Sequence, residues 1–323
     1  MSPAPPRDTP SGRAYNDLRN LARRQGRDVA EYLSLFALEG FLARLSVSQN
    51  ADQLILKGGV LMAAFSARRP TRDIDLSASG FPNDVAEAEG RVRSIAAIEL
   101  DDGLTFGTGS VRGEEIRDDT EYHGVRVHVI ARLASAEIPF HVDVNFGDPV
   151  WPAPVRTRLP RLLGGEIDVL AYPVTMVLAE KIVTAVERGA ANTRWRDFVD
   201  VASLAAKNDI SGDDMMRSLA IVAASRQIEI APLVEVLGGM ADSAQRKWTA
   251  WRRKQHLDAM TPESFQDLLD SCSAFADPVL RREVDGFHWS AQDHRWSCHP
   301  YGFRSSATAR RSRVLNERVR WSV

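Results

Sequence analysis

The sequence predicts an α+β chain: a mixed sheet with its helices to about residue 172, then a helical part. Three observations predict it. Val125–Ile130 and Phe140–Phe146 alternate apolar and polar residues, as half-buried strands do. A short apolar run, Ile167–Tyr172, ends in Pro173, which is well placed to start a helix. Beyond Pro173, apolar residues recur at helical steps through five segments.

Taken in order, the elements read as follows. From Gly12 to about Ser48 the spacing predicts helix, with Tyr32, Leu35, Phe36, Leu38, Phe41, Leu42 and Leu45 three or four residues apart. Gln53–Lys57 is a short apolar strand ending in a Gly58-Gly59 turn, and Val60–Ala67 a short helix. Arg72–Ser77 alternates charged and apolar, as a half-buried strand does. Asn83–Ile98 is helical, and Leu104–Gly107 is a strand ahead of the two alternating ones. The later helices are 173–188, 194–207, 211–225, 240–257 and 261–275, with Ser211 and Thr261 as N-caps.

Composition excludes several classes. The 323 residues have a net charge of −2, so bulk charge does not hold the chain on a polyanion. The hydrophobic fraction of 44% supports a sizeable core. Cys272 and Cys298 cannot build a disulfide scaffold, so a reducing cytoplasm is expected. Met1–Arg13 has no apolar run of a secretory signal, and no stretch is apolar and long enough to cross a membrane. Charge is uneven, however. Residues 294–323 carry seven Arg and one acid, a local +6, which leaves −8 on residues 1–293. That segment reads either as a solvated basic tail or as an arm that finds phosphates.

Chemistry concentrates in Leu56–Asp75. In Asp73-Ile-Asp75, side chains at i and i+2 leave a strand on the same side. Two carboxylates held together repel, and a cation between them resolves the conflict. Oxygen ligands suit Mg²⁺, normally held by one or two carboxylates plus substrate phosphates. Gly58-Gly59 lets backbone N–H groups approach a phosphate at a helix start. Either piece alone is an ordinary turn or strand end; their combination at this spacing carries the signal.

Lys57-Gly-Gly59 followed by Arg69-Pro-Thr-Arg-Asp-Ile-Asp75 resembles the nucleotidyltransferase core of the DNA polymerase β superfamily. Within it the closest resemblance is to the AbiEii/AbiGii toxin family, which includes the mycobacterial MenT toxins. Tyr172–Lys181 and Arg194-Trp-Arg-Asp-Phe-Val-Asp200 resemble two further motifs of that family, in its order. The resemblance covers roughly residues 30–205.

It implies a polymerase-β-type core over residues 13–172 with N-terminal helices, completed by a helical region over 173–290. A disordered N-terminus over 1–12 and a basic tail over 291–323 flank them. It implies transfer of a nucleotide from an NTP, a pyrimidine nucleotide in better-known members, to an acceptor. That acceptor would be the 3′ end of tRNA, and its modification would block translation. A nucleotidyltransferase acting on a small molecule or a protein is the alternative, and a catalytically dead binding module a third reading. The expected partner is a separately encoded antitoxin.

The same resemblance implies roles for particular residues. Asp73 and Asp75 would bind Mg²⁺, with Asp143 as a third carboxylate. Gly58, Gly59, Thr71, Arg72 and Lys181 would contact the nucleotide. Asp197 would face the same cleft and orient Lys181 or the acceptor, with Asp200 on the same helix face. Local salt bridges to Arg194 and Arg196 are the competing explanation for that acid pair. Gln245–Lys254 mixes Trp248 and Trp251 with Arg246, Lys247, Arg252, Arg253 and Lys254. It reads equally as a helix with a solvated basic face or as an RNA-contacting patch. His288, His294, Cys298 and His299 lack the paired spacing of a zinc site.

Overall fold

The computed structural model describes residues 5–65, 68, 70–116 and 124–298. The basic segment 299–323 and Arg69 of the Arg-Pro-Thr-Arg motif lie outside the described residues.

The expected N-terminal helix is two helices, α1 (Pro10–Arg24) and α2 (Val29–Ser46). Gly26, at φ +62°, turns the chain between them, and Asp28 caps α2 by accepting from Ala30 N at 3.0 Å. Thr9 caps α1 and Pro10 opens it, so helix begins inside the stretch 1–12 that was expected to lack order. The chain continues as β1 (Leu54–Lys57), α3 (Gly58–Leu61), β2 (Asp73–Ala78), α4 (Val85–Ala96), β3 (Leu104–Phe106), β4 (Arg112–Ile116), β5 (Gly124–Leu133), β6 (Ala136–Asn145), β7 (Val155–Pro160) and β8 (Glu166–Ala171).

These strands form one mixed sheet in the order β3-β5-β6-β2-β1-β8-β7, with β4 also pairing β5. β2 runs parallel to β6 and antiparallel to β1, so it sits at the centre. Strand β4 and strand β7 have no clear alternation in sequence, because as edge strands they bury little.

The sheet is two-faced. Ile74, Leu76, Val125, Val127, Val129, Val142 and Val144 are all buried and share one face by strand alternation. Helix α2 lies over that face, where Phe41 meets Phe140 and Phe106 edge-on at 5.9 and 6.3 Å. Each such fully buried side chain contributes roughly 1.5–3 kcal/mol. Because the period is two, the intervening residues Asp73, Asp75, His141, Asp143 and Arg126 must occupy the opposite face. Burying the apolar set therefore positions the charged set.

The sheet ends at Ala171, and Tyr172 N donates to Leu56 O at 3.0 Å as the chain leaves it. The remainder is α5 (Val174–Arg188), α6 (Trp195–Ala205), β9 (Ile210–Ser211), α7 (Gly212–Ser225), α8 (Leu233–Val236), α9 (Met240–Gln255), α10 (Phe265–Leu280) and a hairpin of β10 (Phe287–Ser290) and β11 (Arg295–Cys298). The hairpin pairs with β9, so ordered structure extends into the stretch 291–323 expected as a tail. Ser211 caps α7 as expected. Thr261 does not cap α10: its hydroxyl donates to Leu257 O and accepts from Arg252, and Ser264 caps instead.

One ion pair closes the core between α2 and the sheet. Arg44, 1% exposed at its side chain, meets Asp102 at 2.7 Å and also donates to the carbonyls of Ile98 and Leu104. Removing one partner of a buried pair strands the other charge. Arg44→Met is therefore expected to lower the unfolding free energy by about 3–5 kcal/mol, measured by denaturant titration. A loss under about 1 kcal/mol would place the pair among ordinary surface bridges.

Candidate active site

Strand register lines up a row of charges across four neighbouring strands. Lys57 stands opposite Asp75, Asp75 opposite Asp143, and Asp143 opposite Arg126. Arg126 grips Asp143 with two bonds, Nε to Oδ1 at 2.9 Å and Nη2 to Oδ2 at 2.7 Å. Asp73 is one step along β2 from Asp75 on the same face, opposite His141. His141 Nε2 lies 3.9 Å from both Asp73 Oδ2 and Asp143 Oδ2.

The turn before the acids is shaped around Asp75. Gly58 has φ +68°, and a Cβ there would overlap the Asp75 carboxylate. Both facts require glycine. Gly59 N donates to Asp75 Oδ2 at 3.4 Å. Thr71, which the motif placed among the nucleotide contacts, donates to Asp73 Oδ1 at 2.5 Å and so fixes that carboxylate; Arg72 is exposed beside it.

Burial, and then the charge of Asp73, push the Asp75 carboxyl up to about 6, and Asp143 adds to the rise. Lys57 and the Gly59 N–H pull it back without cancelling it. Such a carboxylate gains most from a cation, and Asp73 with Asp75 offers oxygen donors of the kind hard cations take. Both oxygens of Asp143 accept from Arg126. Among the described residues no three acidic, imidazole or thiol groups are arranged to hold a metal ion without further ligands. Substrate phosphates supply such ligands for Mg²⁺.

Lys57 is the member that sequence reasoning did not assign a role. Its ammonium meets Asp148 at 2.5 Å and Glu180 at 3.2 Å, and lies 5.6 Å from the Tyr172 ring centroid. Burial pushes the Tyr172 hydroxyl well above its ordinary value. Glu180 belongs to α5, so Lys57 ties the acid-bearing sheet to the helical part. The available signal was a charged residue closing an otherwise apolar strand, Leu54-Ile-Leu-Lys57, whose every position is buried.

The next residue on α5, Lys181, starts a second cluster. Its ammonium meets Asp197 Oδ1 and Asp200 Oδ2, each at 2.8 Å. The two acids stand at i and i+3 on α6, as spacing implied. Arg194 also reaches Asp197 at 2.8 Å, whereas Arg196 donates to Gln255. Asp197 thus bonds Lys181 and Arg194 at once.

The Gln245–Lys254 run divides. Trp248 is fully buried, stacked between Trp251 at 5.4 Å and Phe265 at 5.1 Å. Arg252 is buried too, bonded to Thr261 and to the carbonyl of Asp258. These two are core and loop anchor, not RNA contacts. Arg246, Lys247, Arg253 and Lys254 are exposed.

The family described as "Nucleotidyl transferase AbiEii toxin, Type IV TA system" matches residues 40–271. No curated protein matches the chain. Among solved structures, the chain is similar to JHP933 from Helicobacter pylori, at 11% identity and TM-score 0.44, over 76% of this chain and 89% of that one. It is similar to an antigenic nucleotidyltransferase-like protein from Paracoccidioides brasiliensis, at 16% identity and TM-score 0.38, over 60% and 89%.

Asp75 yields a pH prediction for the metal-free protein. Its carboxyl ionises near 6 when folded and at 3.8 when unfolded. Between those values the folded chain binds more protons, so stability falls as pH rises through the window, and the loss is complete above it. Asp75→Asn removes that loss. With chelator present, it is expected to raise the unfolding free energy by about 1–3 kcal/mol near pH 8 and by little near pH 4. Thermal unfolding across that range checks it, and an equal gain at both ends would assign the effect to packing.

Proposed function

The chain belongs to the AbiEii family of nucleotidyl transferase toxins of Type IV toxin–antitoxin systems, and on that premise we propose that it transfers a nucleotide from an NTP to the 3′ end of tRNA. Transfer there blocks aminoacylation and so translation. The proposed donor is a pyrimidine NTP, the proposed partner a separately encoded antitoxin, and the proposed place the cytoplasm. No helix among the described residues is long and apolar enough to cross a membrane.

The observation that carries this reading is the register-aligned acid face. Asp73 and Asp75 would hold Mg²⁺, whose charge would offset the carboxylate repulsion and the growing charge on the transferred phosphate. Thr71 fixes one Asp73 oxygen, so the carboxylate does not rotate away when an ion binds. Gly58 leaves room against Asp75 that any side chain would fill. Asp143 adds negative potential beside Asp75, and Arg126 keeps it in place. In the transfer, the acceptor hydroxyl forms a bond to the α-phosphorus and the bond to the β-phosphate oxygen breaks. Pyrophosphate leaves with the electron pair, and the hydroxyl proton passes to solvent.

Lys181 supplies a compact positive charge suited to a polyphosphate. Asp197 and Asp200 hold that ammonium in one position, so its side-chain entropy is already spent when the substrate arrives. Lys57, through Glu180, keeps α5 at a set distance from Asp75.

Incubating the purified chain with Mg²⁺, each labelled NTP in turn, and total tRNA tests the reading. Label on tRNA from one NTP is the expected outcome. Label on a small molecule or on protein, with none on tRNA, would replace the acceptor. Asp73→Ala and Asp75→Ala should each reduce transfer at least about a thousandfold, the scale on which removal of a principal charge stabiliser acts. Their melting temperatures should hold or rise, since each removes a repelling charge. Wild-type rates in either variant would remove the acid pair from the reaction.

A further inference from the structure

A cavity of about 550 Å³ opens beside the candidate site, and none of the roles above uses it. Its walls come from α6, α10, the end of α9 with the 257–262 turn, the loop before β2, the α1–α2 turn and the β10–β11 hairpin. A volume of roughly 300–1,000 Å³ is that of a pocket for one small organic group. The lining is largely apolar, with Pro70, Leu268 and Met260 among its members, and it carries four cations, Arg27, Arg68, Arg196 and Lys207, of which Arg27 is paired with Glu31 and Arg68 with Glu39. Its one acid is Asp200, already held by Lys181. A mostly apolar chamber suits a flat apolar body.

Two walls touch the reaction machinery. Pro70 precedes Thr71, whose hydroxyl fixes Asp73. Asp200 is a partner of Lys181. An occupant is therefore flanked by the loop that carries the acid pair on one side and by the phosphate-binding cluster on the other. A third feature lies next to the cavity. Helix α9 exposes Arg246, Lys247, Arg253 and Lys254, with Arg246 and Arg253, and likewise Lys247 and Lys254, seven residues apart on one face. The helix ends at Gln255, and Gln255 and Leu257 line the cavity.

We propose that this cavity receives the unpaired 3′-terminal nucleotide of an RNA acceptor, whose preceding phosphates lie along the cationic face of α9. The assignment rests on the transferase reading above and adds where the acceptor is held. An apolar wall takes the base by contact, without reading its edge. A paired terminus cannot enter, because its base is stacked and covered by its partner. The near-neutral chain then needs only this row of cations to capture a polyanion.

Two variants away from the acid pair and the Lys181 cluster test it in the full-length chain. Ser203→Trp fills the cavity from α6, and Met260→Asp places a repelling charge on a side chain that is 67% exposed and cannot perturb the core. The probe is a short single-stranded RNA with a free 3′ hydroxyl, its binding read by fluorescence anisotropy without NTP, and a blunt duplex of the same length is the control. Each variant is expected to weaken single-strand binding about tenfold or more, the scale of one lost base contact, and to leave the KM for NTP unchanged. Wild-type protein should bind the duplex more weakly than the single strand.

The outcomes separate the two claims. RNA labelling with unchanged RNA affinity in both variants keeps the reaction and overturns the pocket. Single-strand binding that both variants weaken, without label transfer to any RNA, keeps the pocket and overturns the reaction. A rise in the KM for NTP in place of the RNA effect assigns the cavity to the donor, and absence of RNA binding by the wild-type chain rejects the pocket outright.

Discussion

The site depends on one constraint, the register of β1, β2, β6 and β5. That register sets Lys57, Asp75, Asp143 and Arg126 side by side, positive charges outside and negative charges within. A slip of one residue in any pair would turn its charges into the apolar face beneath α2 and its valines outward. The free energy of burying Ile74, Leu76 and the valines therefore also enforces the carboxylate arrangement. Local electrostatics would not do so, since Asp73 and Asp75 repel. The outer cations temper this repulsion without removing it, and the raised Asp75 carboxyl is what remains.

Lys57 extends the same logic out of the sheet. A buried ammonium requires carboxylate partners, and it finds Asp148 in the loop after β6 and Glu180 on α5. Breaking such a pair leaves charges stranded in a poorly solvated place, so the helix cannot drift from the strand cheaply. Lys181, one residue on, inherits that placement. Its own partners, Asp197 and Asp200, then tie α6 to α5. Lys57 at the end of β1 and Lys181 on α5 thus connect sheet, α5 and α6 in series, and the proposed tRNA transferase reading draws on each link.

How far the sequence disclosed this depends on how local the signal was. Asp73 and Asp75 were legible because alternation is a two-residue pattern. Gly58 was legible as a turn, though its closeness to Asp75 is a tertiary fact. Lys181 and Asp197 were found through motif resemblance, and the i, i+3 spacing brought in Asp200. Lys57 was passed over because its partners lie 91 and 123 residues away. Strands β4 and β7 lacked a pattern because edges bury little. The 246–254 run misled in part: composition cannot tell that Trp248 faces Phe265 or that Arg252 turns inward to Thr261, since both follow from how α9 packs on α10.

That division of α9 bears on the proposal that a chain with net charge −2 captures a polyanion. Bulk attraction is absent, so cations must be placed one by one, and a helix does this by periodicity. Burying Trp248 and Arg252 on one side of α9 leaves Arg246, Lys247, Arg253 and Lys254 on the other, for the reason that burying Ile74 and Leu76 leaves Asp73 and Asp75 on the opposite face of β2. In both cases packing sorts the residues, and the polar side is what packing excludes. A row set out this way has short range, because ions screen exposed charges beyond roughly 8–10 Å at moderate salt. In the proposed binding mode it acts only on a strand already lying along the helix, whose end then meets the cavity beyond Gln255. Under that proposal, local placement of this kind favours a particular geometry of RNA over RNA in general.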